Sequence, residues 1–496
     1  MKKLRLLIAA ALVVAPLVPM TTAHASTITV SGAGSTWSQI AVDQWRADVR
    51  TKLGLTINYQ GNGSSAGRQF YVGNQVDFAV SEIPFTDTEV SQLKAAGKTY
   101  QYLPIVAGGT GLMYNLKDES GRSITSLRLS SETIGKIFTG AINDWSDPAI
   151  TADNGKALPA RRIVPVVRSD GSGTSAQFTA YLAKQTSTWG AFAGAQGVSA
   201  SAGTSNYPQG WGNSVAQKGS DGVANFVANT STGTGSITYV ETAYALQRGF
   251  PVAAVKNASG NYALPTAANV ATALTKATLN PDRTQNLAGV YVNPSPTAYP
   301  ISSYSYMIVP TTGLNAEKAK VLGQYAVYFA CEGQQKAAVL GYSPLPQNLV
   351  QAVFDGVSAL EGADAPPALN ASNCKNPTLS GDLGAGANNA GTSTGATAGG
   401  GSTTSGGSTT SGGSDVAGAG GSNSVIVDDT RYAQMQPVEV SVKSAGYANP
   451  SMLGLILLGI VLLPISIRLI APVVLRLLRR ITRRIKFPKL WTYSKR

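Results

Sequence analysis

The stretch Arg168-Ser-Asp-Gly-Ser-Gly-Thr-Ser175 places one arginine, one aspartate, two glycines and four hydroxyl residues directly before the helix-like run "AQFTAYLAK". Glycines let backbone N–H groups converge, serine and threonine add hydroxyl donors, and a helix start adds partial positive charge. Arg168 adds a full charge and a two-pronged donor fork, and Asp170, two residues on, can hold that guanidinium in place. This is the chemistry of a cradle for a small anion. Two enzymatic readings lack their parts. The stretch has neither the lysine nor the spacing of a G-x-x-x-x-G-K-[ST] phosphate loop. It is not G-x-S-x-G either, and no histidine is at hand to activate Ser172.

The sequence has a single histidine, His24, and it lies in an N-terminal leader. Residues 1–25 carry Lys2, Lys3 and Arg5, an apolar run and "AHA" before Ser26, the pattern of a secretory signal peptide. The exported chain then has no Ser-His-Asp triad, no Cys-His pair and no histidine-built zinc site. No cofactor and no metal is expected.

One donor-rich loop is also what an ordinary helix cap looks like, so its companions decide. The strands "TITVSGAG", "LTINYQG", "VDFAVSE", "RIVPVVR" and "GSITYVE" alternate with amphipathic helical runs. That alternation predicts an α/β chain with mostly parallel sheets, and residues 26–378 are enough for two lobes. In such folds ligands sit beyond the carboxyl ends of the strands. The loops there are "SGAGSTWSQ" (31–39), "QGNGSSAGRQ" (60–69), "SEIPF" (81–85) and the opening stretch. Three of the four are rich in glycine and hydroxyls, and each of those opens a helix. Together they point to an anion held between lobes.

The carboxy-terminal part has a different character. Residues 379–424 are almost entirely Gly, Ser, Thr and Ala, a composition that cannot bury a core and reads as a flexible linker. Residues 425–450 form a short juxtamembrane segment whose structure the sequence leaves open. Residues 451–474 are apolar apart from Arg468, long enough for one transmembrane helix. The basic tail, 475–496, is expected in the cytoplasm and everything before the span outside, which makes a single-pass cell-membrane protein. The net charge of +13 comes from these ends, because the leader and residues 448–496 carry basic residues and no acidic ones. The intervening segment has equal numbers of both signs, which excludes a nucleic-acid footprint. Cys331 and Cys374 both lie in the exported part and are expected to form one disulfide, two buried thiols being the other arrangement.

Over most of residues 29–345 the chain resembles the phosphate-binding proteins that serve ABC-type phosphate importers. The resemblance runs through "GAGSTW", "NYQGNGSSAG", "VDFAVSEIPF", "PIVAGGTGLMYNL", "LSSETIGKIFTGAINDWSDPAI", "VVRSDGSGTSAQFTAYLAK", "GSDGVANFVAN", "ITYVETAYAL" and "YPISSYSYMIVP". It implies the two-lobed periplasmic-binding-protein fold (type II), with residues 26–108 and 300–378 in one lobe and 109–299 in the other. It further implies no enzymatic activity, inorganic phosphate as ligand and ABC permease subunits as partners. Carried over residue by residue, Thr36, Trp37 and Ser64 would contact phosphate from the first lobe. Arg168, Ser172, Gly173 and Thr174 would do so from the second, with Asp170 pairing Arg168. Trp37 stands where the family has phenylalanine, and Glu82 where it has aspartate. An acceptor-only carboxylate demands a proton on the ligand, which suits hydrogen phosphate and rejects fully ionised sulfate. The extra methylene of Glu82 means that either the pocket shifts or the side chain turns away. The linker and span depart from the family's usual architecture, which leaves a surface adhesion, structural or phosphate-sensing role as the alternative reading.

Overall fold

The computed structural model describes residues 28–229 and 231–380. The leader lies outside these residues, as do the linker from residue 381, the juxtamembrane segment, the expected span and the basic tail. Among the described residues no helix is long and apolar enough to cross a membrane.

Eight strands form the main sheet: β1 (Thr29–Gly34), β2 (Thr56–Gly61), β3 (Phe78–Ser81), β4 (Gln101–Tyr114), β5 (Val164–Arg168), β6 (Val215–Gln217), β7 (Ser236–Glu241) and β8 (Ser302–Val309). Their spatial order is β2-β1-β3-β8-β4-β7-β5-β6. Strands β2, β1 and β3 run parallel in one half, and β7, β5 and β6 in the other. Between them β4 serves both halves. It pairs antiparallel with β8 over Gln101–Gly109 and then with β7 over Thr110–Tyr114.

Five of the six parallel strands are the ones that the alternation of strands and helices predicts; the three-residue edge strand β6 is not. Strand β4 is not among them, and the reason is physical. All 14 of its residues are buried, so there is no polar face and no period of two to read. Its centre, Gly108-Gly109, looks like a turn in one dimension. Only the strands on both sides make it continuous.

Helices follow the strands of each half: α1 (Gln39–Leu53), α2 (Ser64–Val72) and α3 (Asp87–Ala95) in the first, α4 (Gly173–Gln185), α5 (Gly219–Ala228) and α6 (Thr242–Gln247) in the second. Helix α1 buries Ala41, Val42, Trp45 and Val49, a stripe at helical spacing. Helix α2 packs so closely on β1 that a Cβ on Gly67 would lie 2.3 Å from the Gly34 Cα, so only glycine fits there. Later in the chain comes helix α7 (Ala316–Ala330), and Cys331, which caps it, is bonded to Cys374 (S–S 2.07 Å). Asn376, also buried, donates to the carbonyls of Ala330 and Leu345 at 3.0 and 3.1 Å. The disulfide and this amide together fasten residues 370–378 to the body.

The loop after β3 is held from below by a buried ion pair. Arg68 on α2 donates through Nε to Glu89 Oε2 (2.9 Å), and through Nη1 to the Ser81 hydroxyl (3.2 Å). Glu89 also closes a capping box with Thr86 at the start of α3. Removing one member of such a pair leaves a buried charge uncompensated, at a cost of about 3–5 kcal/mol. Arg68→Met is therefore expected to lower the stability of the protein by about that much, read as a fall in the urea midpoint at unchanged slope; a shift of a few tenths would show that the pair does not hold this loop.

Candidate phosphate site

Four loops meet at the carboxyl ends of the strands. From the first half, β1 ends at Gly34 and runs through Ser35, Thr36, Trp37 and Ser38 into α1. Helix α2 begins at Ser64, and β3 delivers Glu82. Glu82 does not turn away: it is fully buried and faces the other loops. Its Oε1 accepts hydrogen bonds from the hydroxyls of Ser35 and Ser305, and its Oε2 accepts one from Ser64 Oγ at 2.8 Å. The Ser35 hydroxyl in turn accepts the backbone N–H of Trp37 (3.0 Å).

From the second half, β5 ends at Arg168 and α4 begins five residues later. Ser172 caps α4 by accepting the Ser175 N–H at 3.1 Å, and its own hydroxyl hydrogen is left available to donate. Arg168 is 2 % exposed and meets Asp170 in a bidentate pair, Nε to Oδ1 at 2.8 Å and Nη2 to Oδ2 at 2.6 Å. Its third nitrogen, Nη1, points to Thr174 Oγ1 (3.4 Å) and Ser220 Oγ (3.3 Å). Burial pushes the Asp170 carboxyl upward. The hydrogen bonds and charge of Arg168, with the Gly219 amide, outweigh that push and hold it below the ordinary aspartate range. The Arg168 amide donates to Tyr239 Oη, which also meets Ser175 Oγ. Arg168 is thus locked in both backbone and side chain.

The two sets touch. Gly173 N–H donates to Ser64 Oγ at 3.1 Å, so a chain of hydrogen bonds runs from the start of α4 through Ser64 to Glu82. Thr36 Oγ1 lies 2.8 Å from Ser220 Oγ and accepts the Ser220 N–H at 3.1 Å. Gln177 on α4 donates to the Glu82 carbonyl at 2.7 Å. A Cβ on Gly173 would stand 2.0 Å from Glu82 Oε2 and 2.7 Å from Ser64 Oγ, so any side chain here would separate the loops.

The structure therefore brings Thr36, Ser64, Glu82, Arg168, Gly173, Thr174 and Asp170 to one place, with Ser172 setting the helix start. Trp37 takes part only through its backbone; its buried ring lies against Gly108 and edge-on to Tyr342. Ser220 and Ser305 escaped the sequence reading. Ser220 sits at the start of α5 in "KGSDG", the same strand–glycine–hydroxyl–helix signal as the other loops, and could have been read from it. Ser305 could not, because it lies in the middle of β8 and reaches Glu82 only through strand pairing. Among the described residues no group of His, Cys, Asp and Glu is placed to hold a metal.

A family model described as a PBP superfamily domain matches residues 21–332. The chain is 32% identical over 338 residues to the phosphate-binding protein PstS of Xylella fastidiosa, covering 68% of this chain and 86% of that one. It is 32% identical over 314 residues to phosphate-binding protein PstS 3 of Mycobacterium tuberculosis, covering 62% and 80%. Among solved structures, a phosphate-binding protein from Stenotrophomonas maltophilia shares the fold at a TM-score of 0.52 and 22% identity, covering 70% of this chain and 98% of that one. With the cradle of Arg168, Gly173 and Glu82 formed in that fold, the chain belongs to the periplasmic-binding-protein superfamily and, within it, to the family of the PstS phosphate-binding proteins.

Proposed function

We propose that this protein captures inorganic hydrogen phosphate outside the cytoplasm, closing two lobes on it, residues 26–108 with 300–378 and residues 109–299. One observation carries the reading. Arg168 reaches Thr174 and Ser220, Ser220 reaches Thr36, and the start of α4 reaches the buried Glu82 carboxyl group through the Ser64 hydroxyl. In the site Arg168 is already paired with Asp170, so the ligand's charge meets mainly neutral donors held in place before it arrives. On this reading the backbone N–H of Trp37 and that of Gly173, which here donate to Ser35 Oγ and Ser64 Oγ, turn to the ligand when it binds, together with the donors of Ser172 and Thr174 at the helix start.

Glu82 supplies the selectivity. Three hydroxyls hold its oxygens as acceptors. A ligand oxygen placed there must carry a proton to donate, and hydrogen phosphate does. Sulfate would set two acceptors against each other without water between them. The longer side chain is accommodated because Gly173 has no Cβ to obstruct it.

The Gly-, Ser-, Thr- and Ala-rich composition of 379–424 and the apolar run 451–474 support a tether that holds the binding domain near the outer face of the cell membrane. Delivery to an ABC permease is the role that the family supports, the permease opening the lobes for release. A protein that serves adhesion or sensing would instead leave uptake intact.

Three outcomes check this. Arg168→Ala is expected to weaken phosphate binding by at least about 2 kcal/mol, roughly thirtyfold, because it removes a charged donor from the site and leaves the Asp170 carboxylate beside the ligand without its partner; unchanged affinity by calorimetry would remove Arg168 from the site. Glu82→Gln is expected to narrow the gap between phosphate and sulfate by about tenfold or more, since an amide can donate to an unprotonated oxyanion; competition calorimetry with both anions reads it, and an unaltered ratio would move selectivity elsewhere. Deletion of the gene is expected to reduce uptake of radiolabelled phosphate by the cells, while normal uptake with altered surface attachment would favour the adhesive role.

A further inference from the structure

We propose that Glu241 is a proton-binding site built into the strand crossover, taking up one proton as the two halves close on an anion. The inference rests on the phosphate-cleft reading above and adds a second ligand, the proton, at a residue outside the cradle.

Glu241 ends β7 and pairs with Thr110 on β4, at the point where β4 exchanges β8 for β7. It is fully buried, and neither carboxyl oxygen has a hydrogen-bond partner. No ion pair among the described residues includes it. Three more buried polar atoms around it also lack partners: Trp37 Nε1, Thr110 Oγ1 and Ser303 Oγ. Strand register explains why they gather. Thr110 lies opposite Glu241 and Ser303 opposite Gly108, and residues 108 and 110 share one face of β4. A Cβ on Gly108 would stand 2.9 Å from both Glu241 Oε1 and the rim of the Trp37 ring, so this glycine makes the room in which they meet.

The surroundings offer no positive charge. The titratable groups facing Glu241 are Glu82, from the loop after β3, and the hydroxyl of Tyr342. Tyr244, on α6, spends its hydroxyl on the Thr36 carbonyl, as Tyr342 does on that of Trp37, and burial keeps both phenols neutral. An ionised Glu241 would be a second buried negative charge behind Glu82, reached along one face of β8 through Ser305 and Ser303. Burial, and then the charge of Glu82, push the Glu241 carboxyl well above its usual range; the amides of Thr242 and Ala243 offset part of this without closing a hydrogen bond of standard geometry. Ionisation is thus disfavoured in the closed form, where on this proposal the group carries its proton.

Its walls belong to different halves: Trp37 comes from the first, Glu241 and Thr110 from the second. Hinge opening at Gly108-Gly109 withdraws the indole and lets water reach the carboxyl, which then ionises like an ordinary glutamate. Capture is written as ionised open protein plus hydrogen phosphate plus one proton from solvent, giving closed protein with a neutral Glu241. The closed form binds more protons. Phosphate affinity must therefore fall as pH rises from the open-form to the closed-form ionisation, by up to about tenfold per pH unit.

The test is calorimetry of the protein with inorganic phosphate in two buffers of different ionisation heat. The pH is set above the second ionisation of phosphate, so that the ligand itself exchanges no proton. The expected result is about one proton taken up per phosphate in the wild type. Glu241→Gln should take up none, while still binding phosphate with an affinity that no longer falls with pH. Equal proton uptake by wild type and Glu241→Gln would overturn the proposal and leave the cleft reading standing. A wild type that does not bind phosphate overturns the cleft reading and this one with it. Should the variant not fold, infrared difference spectra of the wild type decide the matter: adding phosphate must produce a protonated-carboxyl band at the expense of a carboxylate band, and its absence sinks the idea.

Discussion

Glu82 is a carboxyl group without solvent contact, and its oxygens have to be satisfied by the protein or by a ligand. Much of the surrounding architecture answers that requirement. Ser35 comes from the end of β1, Ser64 from the start of α2 and Ser305 from β8, three separate elements of one half. The Arg68–Glu89 pair fastens the loop that carries Glu82 from beneath. Gly173 leaves the space that lets the other half approach. On the proposed reading, a donor-lined pocket around a fixed acceptor would select an anion that brings its own proton, a narrower demand than negative charge alone.

The positive side of the site is arranged with the same economy. Arg168 spends two of its nitrogens on Asp170 and is anchored through its backbone by Tyr239, so only Nη1 is directed to Thr174 and Ser220. A guanidinium neutralised by its own aspartate does not hold a multiply charged anion by charge alone. What it would add is a rigidly placed donor, Nη1, with the fork itself spent on Asp170. In the proposed capture, binding would depend on many modest contacts from both halves being made at once, so that closure and capture would be one event. Ser220, Thr36 and Tyr244 make the same point on the far side of the cleft, since the bonds from Ser220 and Tyr244 to Thr36 join residues of the two halves.

Strand β4 links this closure to the rest of the molecule. It carries Gly108 and Gly109 through the crossover, and at that point the partner strand and the half of the sheet both change. Trp37, whose backbone belongs to the cradle, lays its ring over the same place, and Glu241 is buried beneath it. With Trp37 at the anion as proposed, events there and at the crossover would share a residue, which would connect ligand capture to the state of a carboxyl group outside the cradle.

Local patterns in the sequence determine a good deal of this. The alternation of short apolar strands with amphipathic helices specifies an α/β chain, and the glycine- and hydroxyl-rich strand–helix turns at 31–39, 60–69 and 168–175 mark the donors, because caps and helix starts are made by neighbouring residues. The adjacency of Arg168 and Asp170 in the chain already implies their pair. Tertiary structure alone decides what lies far apart in sequence: that Glu82 faces inward, that Ser305 reaches it from a strand 223 residues away, and that Ser220 bridges Thr36 to Arg168. It also decides that β4 is a strand at all, since a segment buried on every side carries no period to read. Glu241 belongs with these. Its isolation is created by β4, β8 and Trp37 closing around it, and a buried carboxyl group has no signature in one dimension.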